Sequence, residues 1–234
     1  MDRGKISMRQ LLALLFAALL CPAVWELPAR TGAGGGRGGW LSAVIVLPVL
    51  LGLCWIVFRL FEGSKEGDGL AEIFMQVLGP GAGRAATGAC LLWGMALLCT
   101  NLRLFGLRFL STSYRNAPMP LFIAALLALA LWLAWKRPCV LARAGQVFYL
   151  ALAVGLGVVL VLGGVQVETK NVLPVWSGDI PGALRGAAAA GGVLGYAVFG
   201  GFLGGEVARR EGDRRQTMRW AAVLCLALTA LQWV

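Results

Sequence analysis

The stretch GALRGAAAAGGVLGYAVFGGFLGG, Gly182 to Gly205, is long and apolar enough to cross a membrane, yet it is crowded with glycine at 186, 191, 192, 195, 200, 201, 204 and 205. Glycine in a helix interior is about 1 kcal/mol less favourable than alanine, so a helix of this composition unwinds locally at little cost. The four-residue spacings Gly191/Gly195, Gly200/Gly204 and Gly201/Gly205 also let helix backbones approach closely in a bilayer. Two readings stand open: a packing face, or a helix interrupted at mid-membrane to offer backbone groups.

The rest of the chain is of the same kind. Its 234 residues are 59% hydrophobic and 14% charged, with a mean hydropathy of +0.78. Soluble domains average about 45–50% apolar and about 25% charged. The apolar residues fall in separate runs, each able to cross roughly 30 Å of hydrocarbon. The pattern predicts an all-α polytopic membrane protein forming a single transmembrane domain, 1–234. Its seven spans lie at about 10–29, 41–61, 85–107, 119–135, 145–165, 182–205 and 217–234. The first run is not followed by a small-residue cleavage site, which argues against a cleaved signal peptide.

Orientation follows from the basic residues. With the N-terminus inside, fourteen of the 21 Lys and Arg fall on the cytoplasmic side and seven on the other, which predicts N-in and C-out. The net charge of +10 is read through this loop bias rather than as a sign of nucleic-acid binding.

Chemistry is constrained by what is missing. The chain has no histidine, and its six cysteines lie in or beside apolar runs without a CxxC spacing. Metal sites, disulfide frameworks and Ser-His hydrolases are therefore not expected. No cofactor is implied, and without a GxSxG motif or clustered intramembrane acids an enzyme is not expected either. Inside the spans the most polar pair is Asn101 and Arg103, and Arg103 has a stem long enough to snorkel outward. The loop TGAGGGRGG, Thr31 to Gly39, reads as flexible, and it lacks the strand-to-helix setting of a phosphate-binding loop. Glu62 to Gly69, EGSKEGDG, reads as a solvated cytoplasmic turn, and VETKNVLPVWSGDIPG, Val167 to Gly182, as an outside loop.

The first span carries its own disruption. CPAVWELP, Cys21 to Pro28, places two prolines and Glu26 in eight residues. An interior proline removes a backbone hydrogen bond and clashes with the preceding turn, at roughly 3 kcal/mol. A charge near the bilayer centre costs roughly 2.5–3.5 kcal/mol on insertion scales. Glu26 then reads either as an interfacial glutamate or as a group about one turn beyond a helix break. Two interrupted helices in opposite directions, the first and the sixth, point to an inverted-repeat transporter fold with a binding site at the breaks.

The segments KISMRQLLALL (Lys5 to Leu15), Leu27-Pro28, GRGGWLS (Gly36 to Ser42), LARAGQV around Arg143 and NVLPVWSGDIPGALRG (Asn171 to Gly186) occur in an order that resembles the B-type membrane subunit of endospore germinant receptors. The resemblance implies an amino acid/polyamine/organocation transporter (LeuT-like) fold of ten spans. It also implies a place in the bacterial cell membrane or inner spore membrane, beside an A-type and a lipoprotein C-type subunit. Its implied role is to sense a small-molecule germinant such as an amino acid and trigger germination. Ligand contacts would fall at Cys21, Pro22 and Ala23 and at Gly195 and Tyr196. There the family usually carries Gly-Thr in the first helix and Gly-Glu in the sixth. The second repeat would be incomplete, the chain appearing C-terminally shortened. An amino-acid or ion transporter of the same fold, and a shortened non-binding paralogue, are the alternative expectations.

Overall fold

The structure, a computed structural model, describes residues 5–35, 38–65, 67–112, 118–165, 177–208 and 212–232. Its elements in chain order are β1 (Ile6–Ser7), α1 (Met8–Gly35), α2 (Leu41–Glu62), α3 (Leu70–Thr112), α4 (Met119–Ala134) and α5 (Pro138–Gly164). A short 3-10 turn (Ser177–Asp179) then leads into α6 (Ile180–Leu194), a 3-10 helix (Gly195–Glu206), β2 (Val207–Ala208) and α7 (Asp213–Leu231).

The chain is an all-α polytopic membrane protein apart from the two-residue strands. Four helical stretches are long and apolar enough to cross a bilayer: Leu41–Glu62, Leu70–Ser111, Pro138–Gly164 and Ile180–Glu206. At 1.5 Å per residue, the 22 residues of α2 reach about 33 Å, close to the hydrocarbon thickness. Met8–Val24 and Met119–Ala134 are shorter apolar segments. Large side chains such as Leu91, Leu131, Val147 and Leu162 are exposed, as lipid-facing positions require.

The chain divides into two compact units, residues 70–141 and the remainder. In the larger unit, α1, α2, α6 and α7 share one core. Phe16, Leu19, Leu20 and Ala23 meet Ala43, Val46 and Leu50, the small residues Ala187 and Ala190, and Ala221, Leu224 and Leu228. Alanine on α6 lets the larger side chains of its neighbours close in. From α5, Gly145 lies so near Leu14 that a Cβ there would stand 2.9 Å from its Cδ1. The ring of Tyr149 meets Phe16 edge-on at 5.0 Å. Ser42 Oγ ties α2 to the end of α7 by donating to Gln232 Oε1 at 3.2 Å.

In the smaller unit, α3 bends at Gly79, whose φ of 82° and ψ of 167° are non-helical. Only glycine occupies that region comfortably, and Pro80 starts the next helical stretch where its missing N–H matters least. The bend folds the chain back so tightly that a Cβ on Gly83 would lie 2.6 Å from the Met75 Cα. Further along, Phe109 packs on Phe122 of α4 at 4.7 Å.

Two expectations are corrected. The first span is not broken at Cys21-Pro22, because α1 runs as one helix through Pro22 and Pro28. Ala23 is fully buried, and α1 contributes to the core from Phe16 through Ala23, so packing on both sides of Pro22 holds the helix on one course despite the lost hydrogen bond to the Ala18 carbonyl. The loop reading of Thr31 to Gly39 also yields, since α1 extends to Gly35. Residues 85–107, expected as the third span, lie within the helical stretch that follows the Gly79-Pro80 bend. Most of the loop Val167 to Gly182 lies outside the described residues.

Candidate functional site

The sixth apolar segment changes its winding where glycine makes this cheapest. It is α-helical to Leu194 and then a 3-10 helix for twelve residues, Gly195 to Glu206. Runs of 3-10 helix beyond three or four residues are uncommon and mark a hinge or strain. Here neighbouring elements press on the tight winding. A Cβ on Gly200 would stand 2.6 Å from Leu15 Cδ1, one on Gly204 would meet the Phe61 ring, and one on Gly205 would meet the Gly67 carbonyl. Thus α1, α2 and the turn after α2 each touch the segment through a glycine. The turn read as merely solvated is, at Gly67, a packing partner.

Beside this segment lies a cavity of about 340 Å³. One wall is α1, with Met8, Leu11, Leu12 and Leu15, and another is α2, from Leu50 through Val57 to Phe61. The 3-10 helix supplies Ala197, Val198, Gly200, Gly201 and Gly204, followed by Val207 of β2. The start of α7, with Gly212, Asp213, Arg214, Thr217 and Trp220, completes it. A small-molecule site takes roughly 300–1,000 Å³, with mostly apolar walls and a few polar groups, and this cavity is of that kind.

The polar groups gather toward the junction of α2 and α7. Glu62 accepts from Arg59 at 3.5 Å and lies 4.0 Å from Arg214, with all three side chains half-exposed or more. Such exposed pairs contribute roughly 0–1 kcal/mol, so they orient charge more than they hold the fold. Thr217 Oγ1 donates to the Asp213 carbonyl at 3.1 Å, so its hydroxyl proton is already engaged within α7.

One end of the site is latched. Ile6 and Ser7 pair in parallel with Val207 and Ala208, so the chain before α1 is tied to the chain after the 3-10 helix. Ile6 is fully buried. Ser7 and Gln10 form a reciprocal cap: the Ser7 N–H donates to Gln10 Oε1 at 3.0 Å, and the Gln10 N–H donates to Ser7 Oγ at 3.3 Å. Gln10 Nε2 also donates to Gln146 Oε1 of α5 at 3.4 Å.

The residues expected at the site are distributed as follows. Gly195 and Tyr196 open the 3-10 helix, and Tyr196 packs half-buried against the four-helix core. Pro22 is half-buried and Ala23 wholly buried on α1, while the side chains of Cys21 and Glu26 lie outside the described residues. None of these lines the cavity, which begins at Ala197 and along α1 lies between Met8 and Leu15. Asn101 and Arg103 belong to α3 in the other unit, where Asn101 Nδ2 donates to the Leu97 carbonyl at 2.9 Å and Arg103 is exposed. Sequence reasoning passed over Leu15, Phe61, Val198 and Trp220. The signal available for two of them was the glycines at 200 and 204, which mark the close approaches of Leu15 and Phe61. Among the described residues no cluster of His, Cys, Asp or Glu could hold a metal ion.

Residues 5–197 match the family described as Spore germination protein. A curated relative, Spore germination protein KB of Bacillus subtilis (strain 168), is 26% identical over 192 residues, which cover 79% of this chain and 49% of the relative. The chain therefore spans about half the length of that relative. No solved structure matches.

Proposed function

This chain belongs to the spore germination protein family, and from that premise we propose that it acts as the B-type membrane subunit of a germinant receptor. In this reading it senses a small molecule such as an amino acid and passes the signal to A-type and lipoprotein C-type partners in the inner spore membrane. The observation that carries the reading is the 340 Å³ cavity formed against the 3-10 segment that starts at Gly195. An irregular sixth helix beside an apolar cavity is what a small-molecule sensor of the inverted-repeat transporter class requires. We assign the ligand's apolar part to the cavity and its polar end to the backbone near Gly195 and Tyr196, next along the chain from Ala197 on the cavity wall.

The mechanism is a population shift. A molecule that fits the cavity stabilises the arrangement of α1, α2, the 3-10 helix and α7 that forms it, and the receptor responds in proportion to that preference. The cavity walls favour an aliphatic or aromatic body over a charged one, since an unpaired charge among Leu12, Leu15 and Leu50 would be costly.

The test is germination of spores carrying this gene with its neighbours, challenged with a panel of single amino acids. Val198→Trp fills the cavity, and Gly195→Trp obstructs the start of the 3-10 helix. Each is expected to abolish the response to the effective amino acid while leaving germination by a receptor-independent trigger intact. An undiminished response in both variants, at normal protein levels, removes the site. Uptake of the same amino acid by proteoliposomes containing the purified chain would make the protein a transporter rather than a sensor.

A further inference from the structure

Charge is balanced locally at one end of the molecule and left unbalanced at the turn between α4 and α5. Around the junction of α2 and α7 the cations have an acid within reach: Glu62 accepts from Arg59 at 3.5 Å and lies 4.0 Å from Arg214. From Ile73 to Val167 the chain has seven basic residues and no acidic one. Lys136 and Arg137 stand side by side within that stretch, and both are exposed. Among the described residues neither is paired with a carboxylate.

The helix ends that meet here do not remove the imbalance. α4 ends at Ala134, where the Trp135 N–H donates to the Leu131 carbonyl at 3.2 Å and the Lys136 N–H to the Leu133 carbonyl at 3.0 Å. α5 begins at Pro138. The negative end of one helix and the positive end of the other are thus separated only by Trp135, Lys136 and Arg137, and they largely offset each other. The two side-chain charges remain. The first turn of α5 has no acidic residue, so that turn supplies no anion to its own N–H groups.

The same turn lies where headgroups are found. The 16 residues of α4 reach about 24 Å, short of the roughly 30 Å of hydrocarbon, which draws the residues flanking the helix to the membrane–water boundary. Trp132 and Trp135 are 54% and 85% exposed, and tryptophan collects at that boundary because its ring is apolar and its N–H polar. Lys136 Nζ lies 4.6 Å from the centre of the Trp132 ring, which holds the ammonium close to the helix end. Leu131 and Val140, one on each helix, add exposed apolar surface beside the pair of cations.

We propose that the α4–α5 turn is a binding site for an anionic phospholipid, with Lys136 and Arg137 on the headgroup phosphate and Trp132 and Trp135 at the level of the ester groups. The acyl chains then run along Leu131 and Val140. A lipid fits where a soluble anion does not, because the cations stand between exposed rings and exposed aliphatic side chains rather than in a polar pocket. A zwitterionic headgroup carries its own ammonium and gains less from the two cations than a headgroup with net negative charge.

The experiment places the full chain in phosphatidylcholine nanodiscs in which a minority of the lipid, either phosphatidylglycerol or phosphatidylcholine, is brominated on its acyl chains and so quenches nearby tryptophan. The emission of Trp132 and Trp135 is isolated by subtracting that of the same protein carrying Trp132→Phe and Trp135→Phe. Brominated phosphatidylglycerol is expected to quench this emission several-fold more than brominated phosphatidylcholine at equal content. Lys136→Gln with Arg137→Gln should bring the two lipids level. Arg84→Gln with Arg103→Gln removes the same charge from α3 and should leave the preference in place, each variant eluting as the parent does. Equal quenching by the two lipids in the parent, or the same loss in both double variants, overturns the site. Loss of the preference on adding inorganic phosphate at constant ionic strength would make a soluble anion the occupant and overturns the lipid assignment.

Discussion

Glycine has two different tasks in this molecule, and each predicts a different response to substitution. At Gly79 the task is conformational, since φ of 82° with ψ of 167° excludes a side chain whatever the space. Gly79→Ala is expected to lower stability by about 1–3 kcal/mol. Two residues on, Gly81 has open space around it and no positive φ, so Gly81→Ala is expected to stabilise by up to about 1 kcal/mol. Thermal unfolding of the two variants in one detergent, side by side, checks the pair, and equal shifts would contradict the bend. At Gly83 and Gly204 the task is proximity, to the Met75 backbone and the Phe61 ring respectively. A flexible ring can yield where a backbone cannot. The polar cap at Ser7 and Gln10 is a separate case. Each side chain satisfies the other's N–H, so Ser7→Ala and Gln10→Ala should each cost about 1 kcal/mol, and the double variant less than their sum.

At the scale of elements, the informative contrast is between the two helices expected to be broken. Proline was a strong local signal in α1 and glycine a weaker one in the sixth segment, yet the departure from α-helix is at Gly195 and not at Pro22. Local preference was outweighed by packing, because Phe16, Leu19, Leu20 and Ala23 bury α1 on both sides of Pro22. Pro22→Ala should therefore restore the missing hydrogen bond to the Ala18 carbonyl and stabilise α1, by at most roughly 3 kcal/mol. Slower amide exchange around residue 22 is the measurement, and faster exchange would show that the proline shapes a break. The helices themselves were legible because each is one apolar run bounded by charge or glycine. The Gly79-Pro80 bend is a glycine-proline pair, a turn signal by itself, and the expected third span lies wholly beyond it. The pairing of Ile6–Ser7 with Val207–Ala208 was not legible at all. Two-residue strands carry no periodicity, and their partners lie 201 positions apart in sequence. The cavity followed the same pattern, with its glycine wall visible in the sequence and its opposite walls on α1 and α2 visible only once the helices were assembled.

At the scale of the whole molecule, charge decides orientation. The apolar runs fix that the chain is embedded, but they are nearly symmetric end to end, and only the basic residues break that symmetry. Arg59, Glu62, Lys65, Arg214 and Arg215 gather around the turn after α2 and the start of α7, where the charged groups of the cavity are also found. An N-in arrangement puts this end in the cytoplasm, together with the pairing of Ile6–Ser7 and Val207–Ala208. It also puts the turn at Ser177–Asp179 on the opposite face. The arrangement predicts opposite labelling of two engineered thiols in sealed, right-side-out vesicles. With a membrane-impermeant maleimide, Gly178→Cys should react from outside, because Gly178 is exposed with open space around it. Ser64→Cys should react only after the vesicles are opened. The native cysteines at 54, 90, 99 and 225 sit within helices in apolar surroundings and should contribute little signal with a water-confined reagent. Reversed labelling would place the charged end of the cavity outside, and the molecule sensed there would then reach the cavity without crossing the membrane.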